Sequence, residues 1–334
     1  MAGAGADVDS GIGRPGVDPR HLDQLLLQIE WARGQTCQLV DTWQSPKATL
    51  SRYRNGATNR TFIVKAGSNW GTQDAERVFN ELRRVRGLLQ PLGVVVPEPF
   101  GFINDPALVA MEDVGGVSLI KRVLPKRQYL DWPDGKAKLD ELLSLCGRAL
   151  ARYHAAEPSP QTDRVQAAVE ADIRRAALRG LISPTKANAS LRGLPVARGF
   201  RFSANDFLTD GNRLVMLDPP HLLHFDLIHR DLSSFTFEVE RTFRVFAKEW
   251  DFRHTNESVR DSFAEGYGRE LAAIAGWDWN PEPGRGSWAL SFYELSRIAG
   301  MALNQVRAGR LGQGRLGLVW AWERRRQVRS GIAA

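Results

Sequence analysis

Cysteine is nearly absent. Cys37 and Cys146 are the only two in 334 residues, far apart and in no metal-ligand spacing. A disulfide-stapled scaffold and a structural zinc site are therefore excluded, and the pair reads as free thiols of a reducing, cytoplasmic compartment. No run of 18 apolar residues occurs, which removes a membrane-spanning helix from consideration. The first 18 residues, small, Gly-rich and acidic, lack the basic-then-apolar order of a secretory leader. Internal repeats are missing, and so is a basic stripe with aromatic stacking platforms, so neither nucleic acid nor membrane is expected as a partner.

What is present has the composition of an ordinary soluble protein, with 43% hydrophobic and 25% charged residues. The net charge of +7 is a modest excess that favours an anionic ligand without naming one. At about 150 residues per domain, the length fits two domains or one bilobed unit. Ten Trp and 15 Phe supply large surfaces for burial.

Residues 1–18 lack periodicity and are expected to form a disordered tail. Leu22, Leu25, Leu26 and Ile29 then recur at helical spacing between Arg20 and Trp31. LVDTWQ, ATLSRYRNG and RTFIVKAG are short runs rich in β-branched and aromatic residues, separated by Ser-Pro and Asn-Gly signals, and predict an antiparallel meander. Thr72 to Leu89 predicts a helix packed on that sheet through Val78, Phe79, Leu82 and Val85. GVVVPEPFGFI and PALVAMEDV add two strands, and Gly115-Gly116 gives the chain a place to bend. Beyond it LDELLSLCGRALARYHAAE, QAAVEADIRRAALRGL and FAEGYGRELAAIAG are helical in period. NDFLTDGNRLVMLD interrupts them with two apolar runs around Asp210-Gly211, a hairpin with Asn205 and Asp218 at its outer ends. The expected division is 19–115 for a small β-rich lobe and 116–330 for a helical one.

A strand lysine, a helix glutamate, a flexible join, and a hairpin ending in Asn and Asp form a kinase-like order of parts. From about residue 45 to 305 the chain resembles the aminoglycoside phosphotransferase family, the small-molecule branch of the protein-kinase-like fold. The resemblance implies an α+β, bilobed fold, with a β-rich N-lobe for nucleotide and a larger, mainly helical C-lobe holding the metal hairpin and the substrate pocket. It implies ATP and Mg²⁺ as cofactors and a small-molecule hydroxyl as acceptor. NGATNRTFIVKAG resembles the glycine-containing turn and lysine strand, so Gly56 and Asn59 would lie over the nucleotide and Lys65 would neutralise its phosphates. Glu81 matches the partner that holds this lysine. MEDVGG resembles the hinge, whose backbone near Glu112 and Asp113 would meet the adenine. RALARYHAAE resembles the Leu-Ala-x-Leu-His helix, with Tyr153 for the second Leu. Asn205 matches the metal-binding Asn, and Asp218 the Asp that bridges Mg²⁺ to the phosphates. DLIHRDLSSF resembles the Asp-Leu-Ala helix, with Asp231-Leu232-Ser233 in that place.

One part departs. The family reads His-Gly-Asp, with its Asp five positions before the metal Asn; here the stretch is Arg198-Gly199-Phe200, and a phenylalanine stands where the base should be. A second alignment competes, because His229-Arg230-Asp231 spells the protein-kinase catalytic loop and Asp251-Phe252-Arg253 follows it by 20 residues. It would make Asp231 the catalytic base, but would put Thr236 in the metal Asn position and leave the hairpin without a role. Two functions follow: an ATP-dependent phosphotransferase, impaired or not, or an inactive pseudokinase-like module that binds nucleotide.

Plainer readings stand beside these. Lys65 could be a strand-end lysine reaching solvent, Glu81 a solvated helix charge, Asn205 and Asp218 cap and turn residues, and His229-Arg230-Asp231 a helix-start cluster. Glu323 to Arg326 reads as the solvated face of a last helix bearing Leu316, Val319 and Trp322, while Trp277, Trp279 and Trp288 could line an aromatic cleft.

Overall fold

The computed structural model describes residues 18–44, 48–124, 126, 128–160, 162–199, 202–217, 224–246, 255–280 and 284–330. The expected tail thus lies outside the described residues except for Asp18, whose carboxylate accepts from the Arg20 N–H at 2.9 Å and caps the first helix. The chain divides into two compact units. One takes in residues up to Arg83 together with Pro97–Val114, and the other Arg84–Val96 and Gly115 onward.

In the first unit, helix α1 (Pro19–Leu26) precedes strands β1 (Cys37–Gln44), β2 (Ala48–Asn55) and β3 (Thr61–Gly67), helix α2 (Asp74–Leu89), which belongs to this unit as far as Arg83, and strands β4 (Pro99–Asn104) and β5 (Ala107–Glu112). The sheet is antiparallel, in the order β1-β2-β3-β5-β4. Alternation along β3 and β5 sends Phe62, Val64, Leu108 and Ala110 to one face, where Leu22, Leu25, Leu26 and Ile29 cover them. The period of two then places Lys65 on the opposite face. From α2, Phe79 meets Phe102 of β4 with ring centres 5.2 Å apart.

The second unit holds β6 (Val117–Ser118), α3 (Gly135–Ala156), β7 (Pro158–Ser159), α4 (Asp163–Leu178), α5 (Pro184–Leu191), β8 (Val196–Gly199), β9 (Phe207–Thr209), β10 (Leu214–Met216) and β11 (His224–Leu227). Helices α6 (Ile228–Arg241), α7 (Thr255–Ala275), α8 (Arg285–Arg307) and α9 (Leu311–Ser330) complete it. Two small sheets, β10-β9-β6 and β11-β8-β7, sit among these helices. Phe202, Phe207, Phe235 and Phe263 form an aromatic cluster, the last two stacked at 4.1 Å.

Helix α9 turns the face opposite to that expected. Leu316, Val319 and Trp322 are exposed, while Trp320, Ala321, Val328 and the charged Arg324 are buried. The reason is electrostatic: Arg324 donates to Glu240 at 2.6 Å and lies 3.3 Å from Glu294, two carboxylates already withdrawn from water. Leaving them unmatched would cost several kcal/mol. The Arg-rich end is therefore not wholly a solvated face.

Helices α3 and α7 approach closely at two glycines. A Cβ on Gly147 would fall 2.1 Å from the Phe263 carbonyl oxygen, and one on Gly266 would fall 2.3 Å from that of Ser144. Backbone cannot yield as a flexible side chain can, so Gly147→Ala should lower unfolding free energy by about 1–3 kcal/mol, the usual range for overpacking. Urea denaturation measures it, and an unchanged midpoint would contradict this packing.

Candidate active site

The turn between β2 and β3 is built by a residue the motif does not single out. Asn55 is fully buried, and its Oδ1 accepts from Ala57 N and Thr58 N, both at 2.9 Å. Gly56 N donates to Thr36 O at 3.0 Å. Asn59 has φ +56°, the left-handed region that Asn tolerates better than most residues. Gly56 and Asn59 are both exposed on this turn.

Lys65, in mid-β3 opposite Leu50 and Val109, is 8% exposed. Its Nζ lies 5.4 Å from the centre of the Trp70 ring, which rests on Gly67, where any Cβ would collide with it. Glu81 is 6% exposed, on the buried stripe of α2 with Val78, Leu82 and Val85. A carboxylate on an apolar stripe has to be compensated, so the reading of Glu81 as a solvated charge does not hold, nor does that of Lys65 as reaching solvent.

At the expected hinge, Glu112 N donates to Glu98 O at 2.8 Å and Glu112 Oε2 accepts from Glu98 N at 3.2 Å. That N–H is thus already used. The Asp113 carboxylate is held in a two-point contact by Arg52, at 2.8 and 3.1 Å, and Arg52 itself stacks on Trp43.

In the second unit the hairpin forms as its Asp-Gly signal predicts. Leu214, Val215 and Met216 pair with Thr209, Leu208 and Phe207. Asp210 Oδ1 accepts from Asn212 and Arg213 N–H groups, which holds its carboxyl below the usual range, and Gly211 takes φ +93°. Leu217 N donates to Asp206 O at 2.8 Å, so the ladder is closed as far as the neighbours of both expected metal ligands. Asn205 sits in the 3₁₀ turn Ala204–Asp206, capped by Ser203. Its Nδ2 lies 3.1 Å from Ser203 Oγ and 3.3 Å from Glu238 Oε2. Both contacts use the amide nitrogen, and among the described residues Oδ1 is left as a hard oxygen donor of the kind Mg²⁺ takes. Asp218, Phe200, Asp251 and Phe252 lie outside the described residues.

Asp231 stands in the first turn of α6, a helix rather than a loop. It is 5% exposed, with Oδ2 3.3 Å from His154 Nε2, while His154 Nδ1 meets the Tyr267 hydroxyl at 2.9 Å. Thr236, two turns into the same helix, donates to Glu294 and is buried. Arg198, at the end of β8, bonds Glu157 Oε1 at 2.7 Å, and Arg84 reaches the same oxygen at 3.2 Å. Asn55, Trp70, Glu157 and Glu238 were not found from the sequence. Only Asn55 had a signal, the Asn-Gly pair.

Residues 47–234, more than half of the chain, match the phosphotransferase enzyme family. The chain belongs to that family. Choline kinase from Cryptosporidium parvum Iowa II is similar in fold, with TM-score 0.53 and 10% identity over 94% of this chain and 98% of that one. A glucosamine kinase structure gives TM-score 0.52 and 14% identity over 93% and 97%. No significant match is found among curated proteins. The fold is the protein-kinase-like one, with a small β-rich N-lobe and a larger, mainly helical C-lobe. Arg198, at the position expected to match the family's His, is engaged in an ion pair with Glu157. Among the described residues no helix is long and apolar enough to cross a membrane, and no cluster of three or more His, Cys, Asp or Glu could hold a metal.

Two of the three expected aromatics do line a cleft. Trp277 and Trp279, with Asp261, Glu265, Arg269 and Asp278, border a cavity of about 630 Å³ beside α7. Trp288 belongs instead to the core, 5% exposed, with Nε1 donating to Val328 O at 3.0 Å. Beneath Trp279, His229 Nε2 donates to the Trp279 carbonyl at 3.1 Å, and Nδ1 has no partner among the described residues. Burial pushes this imidazole down to about 4 from 6.5. The folded protein keeps it neutral where the unfolded chain takes up a proton, so its contribution is complete above pH 6.5 and is lost as pH falls toward 4. The full loss is about 3 kcal/mol. In His229→Asn, stability measured by urea should fall less steeply between pH 6.5 and 4 than in the native protein, and equal slopes would remove His229 as the cause.

Proposed function

We propose that the protein is an ATP-dependent phosphotransferase that moves the γ-phosphate to a hydroxyl of a small molecule. The observation that carries the reading is the burial of two opposite charges, Lys65 and Glu81, each under a tenth exposed, at the strand and helix positions where the family motif requires them. Lysine is seldom withdrawn from water without a reason. A buried ammonium is suited to neutralise phosphate oxygens, Glu81 would be its partner as the resemblance implies, and the Trp70 face limits where it can go. Gly56 and Asn59 would cover the nucleotide. With the Glu112 N–H already used by Glu98, contact with the base falls to the backbone at Asp113. Asn205, through Oδ1, and Asp218 would hold Mg²⁺, which when bound spreads the charge on the β and γ oxygens. Nucleotide and a small-molecule acceptor are then the partners.

In this assignment the helix and burial of Asp231 suit a positioning role through His154. No carboxylate remains at Phe200 to take the hydroxyl proton. Because phosphoryl transfer passes through a loose transition state, positioning and charge neutralisation still support it at a reduced rate. Phe200 also favours a second reading, in which the protein binds nucleotide and transfers nothing.

Thermal unfolding with ATP and Mg²⁺ separates the two. At a hundredfold excess over Kd the midpoint should rise by about 5 °C, and Lys65→Ala should abolish the rise. ATP turnover that Asp218→Asn removes supports transfer, and binding without turnover supports the second reading. Turnover removed by Asp231→Asn but untouched by Asp218→Asn would overturn the metal assignment. No shift at all would reject nucleotide binding.

A further inference from the structure

Glu238 has no place in the family resemblance, yet its carboxylate gathers the loop that carries Asn205. Oε2 accepts from Ser203 Oγ at 2.7 Å, from Ala204 N at 2.8 Å and from Asn205 Nδ2 at 3.3 Å. Ser203 Oγ accepts in turn from Asn205 N at 3.2 Å and from Nδ2 at 3.1 Å. Glu238 is seven residues after Asp231 on α6, two turns along the same face.

The donor and acceptor inventory decides what this does. A carboxylate only accepts, and a hydroxyl donates one proton. With that proton committed to Glu238, Ser203 Oγ can only accept from Asn205. Both hydrogen-bond partners of the Asn205 amide among the described residues are then acceptors, so the amide has to turn its NH₂ toward them and its oxygen away. Without Glu238 the Ser203 hydroxyl is free to rotate and donate to Oδ1. The flipped amide would then offer NH₂, which cannot ligate a cation.

We infer that Glu238 is a positioning residue for metal binding: it fixes the direction of the Ser203 hydroxyl and, through it and directly, the orientation of the Asn205 amide. The inference rests on the reading of Asn205 as a metal ligand. Removing a group that orients a ligand commonly costs 10- to 100-fold in metal affinity.

The test is Mn²⁺ binding to the full-length protein, followed by electron paramagnetic resonance in the presence of a non-hydrolysable ATP analogue, with urea stability measured in parallel. Glu238→Ala should weaken Mn²⁺ binding about tenfold or more. Glu238→Gln, which keeps an acceptor oxygen for Ser203, should recover most of the loss. Asn205→Ala combined with Glu238→Ala should bind no more weakly than Asn205→Ala alone, because the two act through one ligand. Losses that add, or lower stability with Mn²⁺ affinity unchanged in Glu238→Ala, would make Glu238 a purely structural cap and overturn the inference. If Glu238→Ala does not fold, Ser203→Ala paired with Asn205→Ala closes the same cycle, with the same two outcomes. Absence of Mn²⁺ binding by the native protein would overturn the metal assignment itself, a result distinct from failure at Glu238 alone, and the inference would fall with it.

Discussion

Helix α6 carries Arg230, Asp231, Glu238 and Glu240, and each is met by a partner on a different element of the second unit. Arg230 binds Asp172 of α4, Asp231 faces His154 of α3, Glu238 gathers the Ser203–Asn205 loop, and Glu240 takes Arg324 of α9. Asp231 and Glu240 are withdrawn from water, and leaving such a charge unmatched costs several kcal/mol. Hydrophobic contact alone does not distinguish one sliding register of two helices from the next. Matched charges add a directional constraint to that packing, and α6 applies it to four of its neighbours.

The same constraint reaches the chemistry. Asp231 and Glu238 lie on one face of α6, one bonded to the helix bearing His154 and the other to the turn bearing Asn205. The loop bearing Asn205 is tied down both by its own Ser203 and by a carboxylate on a packed helix. In the first unit the corresponding device is a sheet: β3 holds Lys65 by a ladder on both sides, and Trp70 folds back on Gly67 to wall the ammonium. In both places the side chain that would touch ligand is short of freedom because a partly buried group lies against it.

The order of elements was legible because it depends on local patterns. Short β-branched and aromatic runs with turn signals gave the meander and the strand that carries Lys65. Helical spacing gave α2, α3, α4 and α7. The Asp210-Gly211 pair gave the hairpin with Asn205 before it. Each of these follows from backbone geometry and from which side chains avoid water over a few neighbouring residues.

What sequence could not decide were partnerships between residues far apart in the chain. It put Arg324 in solvent, because three consecutive arginines look polar in any window, whereas Glu240 and Glu294, 84 and 30 residues away, draw it inside. It placed Trp288 beside Trp277 and Trp279, although only the last two line the cleft. It offered Asp231 as either a loop base or a helix residue, and the fold made it a buried helix residue facing His154. The local sequence determined the elements and the motif residues they carry; the tertiary structure decided which charges are buried and which groups orient them, since electrostatic matching acts through space and leaves no periodic trace along the chain.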